Sequence, residues 1–136
     1  MIQQKEITLP RFRRGYHLIT RIIEDELPEL PEQGLLHILV KHTSAGITIN
    51  ENADPTVRTD FENFMNRMIS ENDPVYIHTY EGSDDMPAHL KASVIGAEIT
   101  IPITRHRLNL GTWQGIYFCE FRNYGGIRRI VLTVYS

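Results

Sequence analysis

Hydrophobic residues alternate with polar ones in some segments of the chain and recur every three or four positions in others, which predicts both strands and helices. Alternation over 2–9 predicts a strand with Ile7 and Leu9 on one face. A helix is predicted over 16–27 by the helical spacing of Leu18, Ile22, Ile23 and Leu27. Further strands are predicted at 35–40, 46–51, 75–79, 99–103, 108–110, 115–121 and 127–135. Strand 46–51 is expected to pair with strand 35–40.

Two more helices are marked by their starting residues. Asp54 can cap free backbone N–H groups, and Pro55 is tolerated in a first helical turn, so a helix is predicted from there to about Glu71. Its buried face comprises Val57, Phe61, Phe64, Met65 and Met68. Another helix is predicted from Pro87 to the stop at Gly96. Because the last strands follow one another without helices between them, the pattern indicates an α+β fold with a mixed or largely antiparallel sheet.

Composition narrows the classes of protein. With 136 residues the chain is expected to form a single domain, 1–136. A net charge of −3 argues against nucleic acid as a partner, so the short basic runs at 11–14, 105–107 and 128–129 are interpreted as solvated faces. The lone Cys119 cannot form an internal disulfide, and no signal-like or membrane-spanning stretch is present. A cytoplasmic protein without a membrane partner is expected.

A first polar cluster occupies 42–55, where one predicted strand ends and the next begins. His42 lies beside two hydroxyl residues there, so it is either a ligand or acid–base group or a structural residue. Asp54 is assigned to the helix cap. Ser44 lacks the glycine setting of a hydrolase nucleophile.

A second cluster, at 78–89, combines two histidines with three carboxylates. His78 and His89 together with Glu81, Asp84 or Asp85 form an ordinary ligand set for a divalent metal. One of the two aspartates has a competing role, because an acid near a helix N-terminus offsets the helix dipole.

A third cluster runs from Gly111 to Arg122. Trp113 is either the wall of a pocket for a flat heterocycle or a core aromatic residue. Glu120 and Arg122 project from one face of a strand, which is either a pocket face suited to phosphate or a surface ion pair. Of the remaining histidines, His17 is expected at the start of a helix, His37 in the core and His106 on the surface.

These clusters resemble the motifs of the YjbQ family, also called the secondary thiamine-phosphate synthase family. The first is His-Thr-Ser-Ala-Gly-Ile-Thr-Ile-Asn-Glu-Asn-Ala-Asp-Pro at 42–55, and the second is Glu-Gly-Ser-Asp-Asp-Met-Pro-Ala-His-Leu-Lys at 81–91. The third is Gly-Thr-Trp-Gln-Gly-Ile-Tyr at 111–117, followed by Glu120 and Arg122. The resemblance spans nearly the whole chain.

The resemblance implies an α+β fold assembled as a homotrimer, with a site near the subunit edges. It implies a metal, zinc or another divalent ion, at His42, His78 and His89, with Asp85, Glu81 and Glu120 close by. It also implies thiamine-phosphate synthase activity, which joins hydroxymethylpyrimidine diphosphate to thiazole phosphate and releases pyrophosphate. The family name suggests a secondary activity of a metal-binding protein.

For that reaction we expect carboxylates to hold Mg²⁺, which prefers oxygen ligands, and basic or polar groups to contact the substrates. The expected carboxylates are Glu81, Asp84 and Asp85, with Glu120 as a further catalytic candidate. The expected substrate contacts are Ser44, Lys91, Trp113, Gln114 and Arg122. Two alternatives stay open: a metal-assisted hydrolase with a zinc-bound water, and a binding module without turnover. An open coordination position favours the enzymes and a closed four-ligand site the module.

Overall fold

The computed structural model describes residues 1–136 and contains eight strands and three helices. The strands are β1 (Ile2–Thr8), β2 (Gly15–Leu18), β3 (Gln33–Val40), β4 (Ala45–Glu51), β5 (Glu98–Thr104), β6 (Arg107–Leu108), β7 (Gln114–Glu120) and β8 (Arg129–Tyr135). The helices are α1 (Thr20–Glu26), α2 (Pro55–Met68) and α3 (Asp85–Ile95). The predicted α+β class is confirmed.

The strands form two antiparallel sheets, one with the order β1-β8-β3-β5-β6 and one with the order β2-β7-β4. The three-stranded sheet is covered on both faces. Ile116 and Phe118 of β7 pack into the core shared with the larger sheet and α1, while Tyr117 and Cys119 pack with residues of α2 and α3. Because β7 is buried on both faces, its sequence is a nearly continuous apolar run.

Three predictions of secondary structure were wrong. Residues 16–27 do not form one helix, because Gly15–Leu18 pairs with β7 and only Thr20–Glu26 is helical. Strand β4 does not pair with β3, since the two belong to different sheets and the turn between them crosses from one sheet to the other. Residues 75–79 form no strand but lie in an irregular loop, residues 69–84, which we call the His78 loop.

Two histidines outside the polar clusters, His17 and His37, lie in other places than the sequence predicted. His17 lies in strand β2, not in a helix. His37 is not in the core: it lies on the outer face of β3, and its Nε2 is 3.0 Å from Oε2 of Glu98. The buried face of β3 consists of Leu36, Ile38 and Val40.

The N-terminus of α2 is as predicted. The side chain of Asp54 accepts a hydrogen bond from the N–H of Thr56 at 2.9 Å, and Pro55 is the first helical residue. The helix ends at Met68, earlier than expected. No helix in the structure combines the length and apolar character that crossing a membrane requires.

Candidate metal centre

Two histidines and one aspartate converge where α3 begins. Asp85 and His89 are four residues apart on α3 and therefore lie on the same face, and His78 reaches them from the His78 loop. Oδ2 of Asp85 is 2.8 Å from Nε2 of His78 and 3.2 Å from Nε2 of His89. The ligand atoms of the three residues lie within 4.8 Å of one another. Asp85 is buried, whereas the side chain of His78 is half-exposed.

The hydrogen bonds of His89 direct the lone pair of its Nε2 towards Asp85, where a cation can bind. Its Nδ1 is 2.9 Å from the carbonyl oxygen of Thr43, which can only accept, so Nδ1 carries the proton. In a neutral imidazole Nε2 then presents a lone pair, and it faces the carboxylate oxygen of Asp85. Two lone pairs face each other favourably only with a cation between them, either a proton or a metal. A backbone carbonyl behind the ring is also the usual outer partner of a metal-bound histidine.

Arg122 holds the other side of Asp85. Its Nη1 donates to Oδ1 of Asp85 at 2.6 Å and its Nε to Oδ2 of Asp84 at 2.9 Å. Its Nη2 donates to the carbonyl oxygen of Glu81 at 2.9 Å. Burial alone would raise the pKa of Asp84, but the N–H of Asn123 and the Arg122 guanidinium outweigh it and hold that pKa below its usual range. The guanidinium predicted to bind phosphate is therefore engaged by this chain's own oxygens.

His42 lies outside the converging group. Its Nε2 accepts a hydrogen bond from the N–H of Arg129 at 2.8 Å, so the ring proton is on Nδ1. Burial, followed by the charge of Arg128, lowers the pKa of His42 and keeps the ring neutral. The first motif nevertheless contributes to the centre, because the carbonyl of the adjacent Thr43 orients His89.

Glu120 and Ser44 lie beside the centre, in the interior. The Glu120 carboxylate is fully buried and accepts from Arg128 through both oxygens, at 2.8 and 2.6 Å. Arg128 also donates to the hydroxyl of Ser44 at 3.0 Å. The interpretation of Arg128 as part of a solvated basic run was wrong, since this residue is buried. No local pattern reveals this, because its partner belongs to a strand of the other sheet.

Lys91 belongs to a second buried network. It donates to Oδ1 of Asn66 at 2.7 Å, and the same oxygen accepts from Nη2 of Arg14 at 2.7 Å. Burial, followed by the charge of Arg14, lowers the pKa of Lys91 to about 8. Sequence reasoning included Lys91 but missed Arg14, Asn66 and Glu71, which carries the network onward by accepting from Nη1 of Arg14 at 2.5 Å.

The third motif is divided between the two ends of β7. Arg122 follows the strand and reaches the centre, whereas Trp113 precedes it. At about 3.3 Å per residue, the strand separates Gln114 from Glu120 by roughly 20 Å. Trp113 is 65% exposed, so it neither lines a pocket at the centre of its own chain nor belongs to the core. Gln114 accepts from the N–H of Gly111 at 2.8 Å.

An open cleft of about 320 Å³ adjoins the centre on the side of the His78 loop. His78 is one of its lining residues, along with Tyr76, Ser83 and Met86. Its size is sufficient for a small ligand. Three larger grooves lie elsewhere on the surface, one of them lined by His106, but none is lined by His78, Asp85 or His89.

Comparisons with known proteins agree over almost the whole chain. A family model described as UPF0047 protein YjbQ-like matches residues 5–136. The UPF0047 protein YjbQ of Salmonella typhimurium is 51% identical over 136 residues, which cover 98% of each chain. The protein of the same name from Escherichia coli O157:H7 is 48% identical with the same coverage. A crystal structure of a yjbq/upf0047 family protein from Clostridium acetobutylicum matches with a TM-score of 0.81 and 34% identity, covering 96% of this chain and 98% of that one.

Proposed function

The chain belongs to the UPF0047 YjbQ-like family, and we propose that it binds a divalent metal ion through His78, Asp85 and His89. The observation that carries the proposal is the convergence of two Nε2 atoms on one oxygen of Asp85, with Nδ1 of His89 fixed by the Thr43 carbonyl. Imidazole and carboxylate suit zinc and several other divalent ions. Three protein ligands leave a coordination position open, which is typical of catalytic rather than structural sites.

The reaction we propose is the thiamine-phosphate synthase-type transfer implied by the family resemblance, as a secondary activity of this centre. When bound, a divalent ion supplies positive charge to the oxygens of a leaving diphosphate. The chain contributes the cleft beside His78 and the exposed side chain of Glu81, and Mg²⁺ would arrive with the diphosphate. Arg122 and Lys91 are hydrogen bonded within the chain, so their role is to orient the carboxylates and the helix that carries His89.

A homotrimer would bring the separated parts of the third motif together. Trp113 and Gln114 lie at the far end of β7 from their own metal centre, so only a neighbouring subunit can bring them to it. Ile77 and Tyr80 of the His78 loop are almost fully exposed, and such apolar side chains are commonly covered by a partner chain. We propose that the partner is a second copy of this chain. A sedimentation mass of a monomer at micromolar concentration would contradict this.

Metal binding is tested on protein stripped of metal and titrated with zinc. We expect His89→Ala to weaken zinc binding by more than the roughly 10–100-fold that loss of an outer partner produces. The matched control is His37→Ala, which removes an imidazole from the outer face of β3 and should leave zinc affinity unchanged. Equal affinities in the two variants would remove the centre from the proposal.

Turnover is tested by measuring thiamine phosphate formed from the two substrates by protein of defined metal content. Activity that requires metal and is lost in His89→Ala, but kept in His37→Ala, would support the transferase. The open coordination position equally suits a hydrolase, so phosphate release from each substrate alone is measured in parallel. Zinc binding without either activity would leave a metal-binding module as the function.

A further inference from the structure

One carboxylate ties together the two ends of the His78 loop. Glu71 lies at the start of the loop, and its Oε2 accepts a hydrogen bond from the hydroxyl of Ser83, near the loop's end, at 3.1 Å. The residues between them form neither helix nor strand. The side chain of Glu71 thus closes the segment that carries His78.

Glu71 is itself held in place from outside the loop. Its Oε1 accepts from Nη1 of Arg14 at 2.5 Å, and Arg14 is fixed in turn by the side-chain oxygen of Asn66 on α2. The hydrogen bond from Arg14 lowers the pKa of Glu71, so the carboxylate is charged at neutral pH. Arg14 precedes β2, and the tie therefore joins the loop to the body of the fold.

The three proposed metal ligands differ in how firmly they are held. Asp85 and His89 belong to α3, whose inner face is buried against the three-stranded sheet. His78 belongs to the irregular loop, and its neighbours Val75 and Ile77 are exposed and make no core contacts. Tyr76 donates to the carbonyl of Ser70, which is a local tie. Arg122 and Asn123 hold only the C-terminal end of the loop, through the carbonyl of Glu81 and the carboxylate of Asp84. His78 is the ligand whose position depends on loop closure.

We propose that Glu71, held by Arg14, is a positioning residue that sets metal affinity by keeping His78 within reach of Asp85 and His89. This inference rests on the proposed function, since it concerns the same centre. A loop that is free before binding must be ordered when its histidine joins the metal, and that ordering lowers affinity. A loop already closed by Glu71 has less conformational freedom to lose when His78 binds the metal.

The test compares zinc affinity by calorimetry for Glu71→Ala in two backgrounds, unaltered and His78→Ala. With His78 present, we expect Glu71→Ala to weaken binding by about 10–100-fold, the usual effect of losing an outer partner. In the His78→Ala background it should change affinity by less than about 2-fold, because contacts that act through one another are not additive. Ser83→Ala is an exposed and milder second variant that opens only the loop tie. The matched control, Glu26→Ala, removes the exposed ion pair with Lys5 and should leave zinc affinity unchanged.

The outcomes separate the two proposals. If the unaltered protein takes up no zinc, the proposed function fails, and this inference fails with it. If the unaltered protein binds zinc but Glu71→Ala and Ser83→Ala bind it equally well, only the positioning role is overturned. The same holds if Glu71→Ala weakens binding equally in both backgrounds, since its effect would then not pass through His78. If circular dichroism shows that Glu71→Ala does not fold, the zinc affinity of Ser83→Ala decides whether the loop tie positions His78.

Discussion

Two ion pairs in this fold have the same length and very different surroundings. Nη2 of Arg128 is 2.6 Å from Oε2 of Glu120, with side chains 7% and 1% exposed. Nζ of Lys5 is 2.6 Å from Oε2 of Glu26, with side chains 53% and 42% exposed. Replacing each cation by methionine therefore tests what burial adds to an ion pair, at equal distance.

The expected costs differ severalfold. In Arg128→Met the carboxylate of Glu120 stays buried. Its one remaining hydrogen bond is from the N–H of Arg122, at 3.2 Å. Leaving one member of a buried pair uncompensated costs about 3–5 kcal/mol of unfolding free energy. Lys5→Met should cost about 0.2–1 kcal/mol, because water solvates both groups. The larger loss is a substantial part of the roughly 5–15 kcal/mol by which domains are stable.

The assay is urea unfolding of metal-free protein, with the slope against denaturant checked to be equal in all variants. The double variant Glu120→Gln, Arg128→Met should recover part of the loss, since no buried charge remains. If Arg128→Met costs no more than Lys5→Met, burial does not govern this pair and the reasoning is refuted.

Three further predictions concern single residues. Burial lowers the pKa of Lys91 from 10.5 to about 8, so the unfolded chain binds more protons between these values. Stability relative to Lys91→Met should therefore rise with pH across that window and stay constant below it, as measured by urea unfolding at pH 7 and pH 10. A Cβ at position 125 would overlap the carboxylate of Glu120, so Gly125→Ala should lower unfolding free energy by about 1–3 kcal/mol, and an unchanged melting temperature would contradict this. Asp54→Ala removes the cap on Thr56 and should cost about 0.5–2 kcal/mol in thermal unfolding followed by circular dichroism.

Local sequence signals predicted the structure correctly where it depends on contacts between residues close together in the chain. The start of α2 is an example, because Asp54 and Pro55 act on backbone groups within two residues of them. The helix predicted over 16–27 was wrong because the structure there depends on a distant contact. Its first residues pair with β7, about a hundred positions away, and that pairing overrides the helical spacing of the apolar side chains.

The candidate site shows the same division between local and distant contacts. The sequence groups His78, Asp85 and His89 in one cluster, but the helix was predicted to begin at Pro87, whereas α3 begins at Asp85 and so places Asp85 on one face with His89. The sequence could not show that the backbone of the first motif presents the Thr43 carbonyl to His89 while His42 contacts Arg129. Nor could it show that the carboxylate of Asp85 is shared by both imidazoles, which depends on the course of an irregular loop.

The charges around the centre bear on which substrates the proposed function would admit. Asp84 and Asp85 carry two negative charges, and Arg122 neutralises one of them through direct hydrogen bonds. Glu81, whose exposed side chain adjoins them, adds a third carboxylate, so the carboxylates outnumber the guanidinium when no metal is bound, which disfavours a diphosphate. A divalent ion adds two positive charges at this point and offsets that excess. Binding of an anionic substrate should therefore depend on metal even before any chemistry, because without the ion no uncommitted positive group lies among these residues.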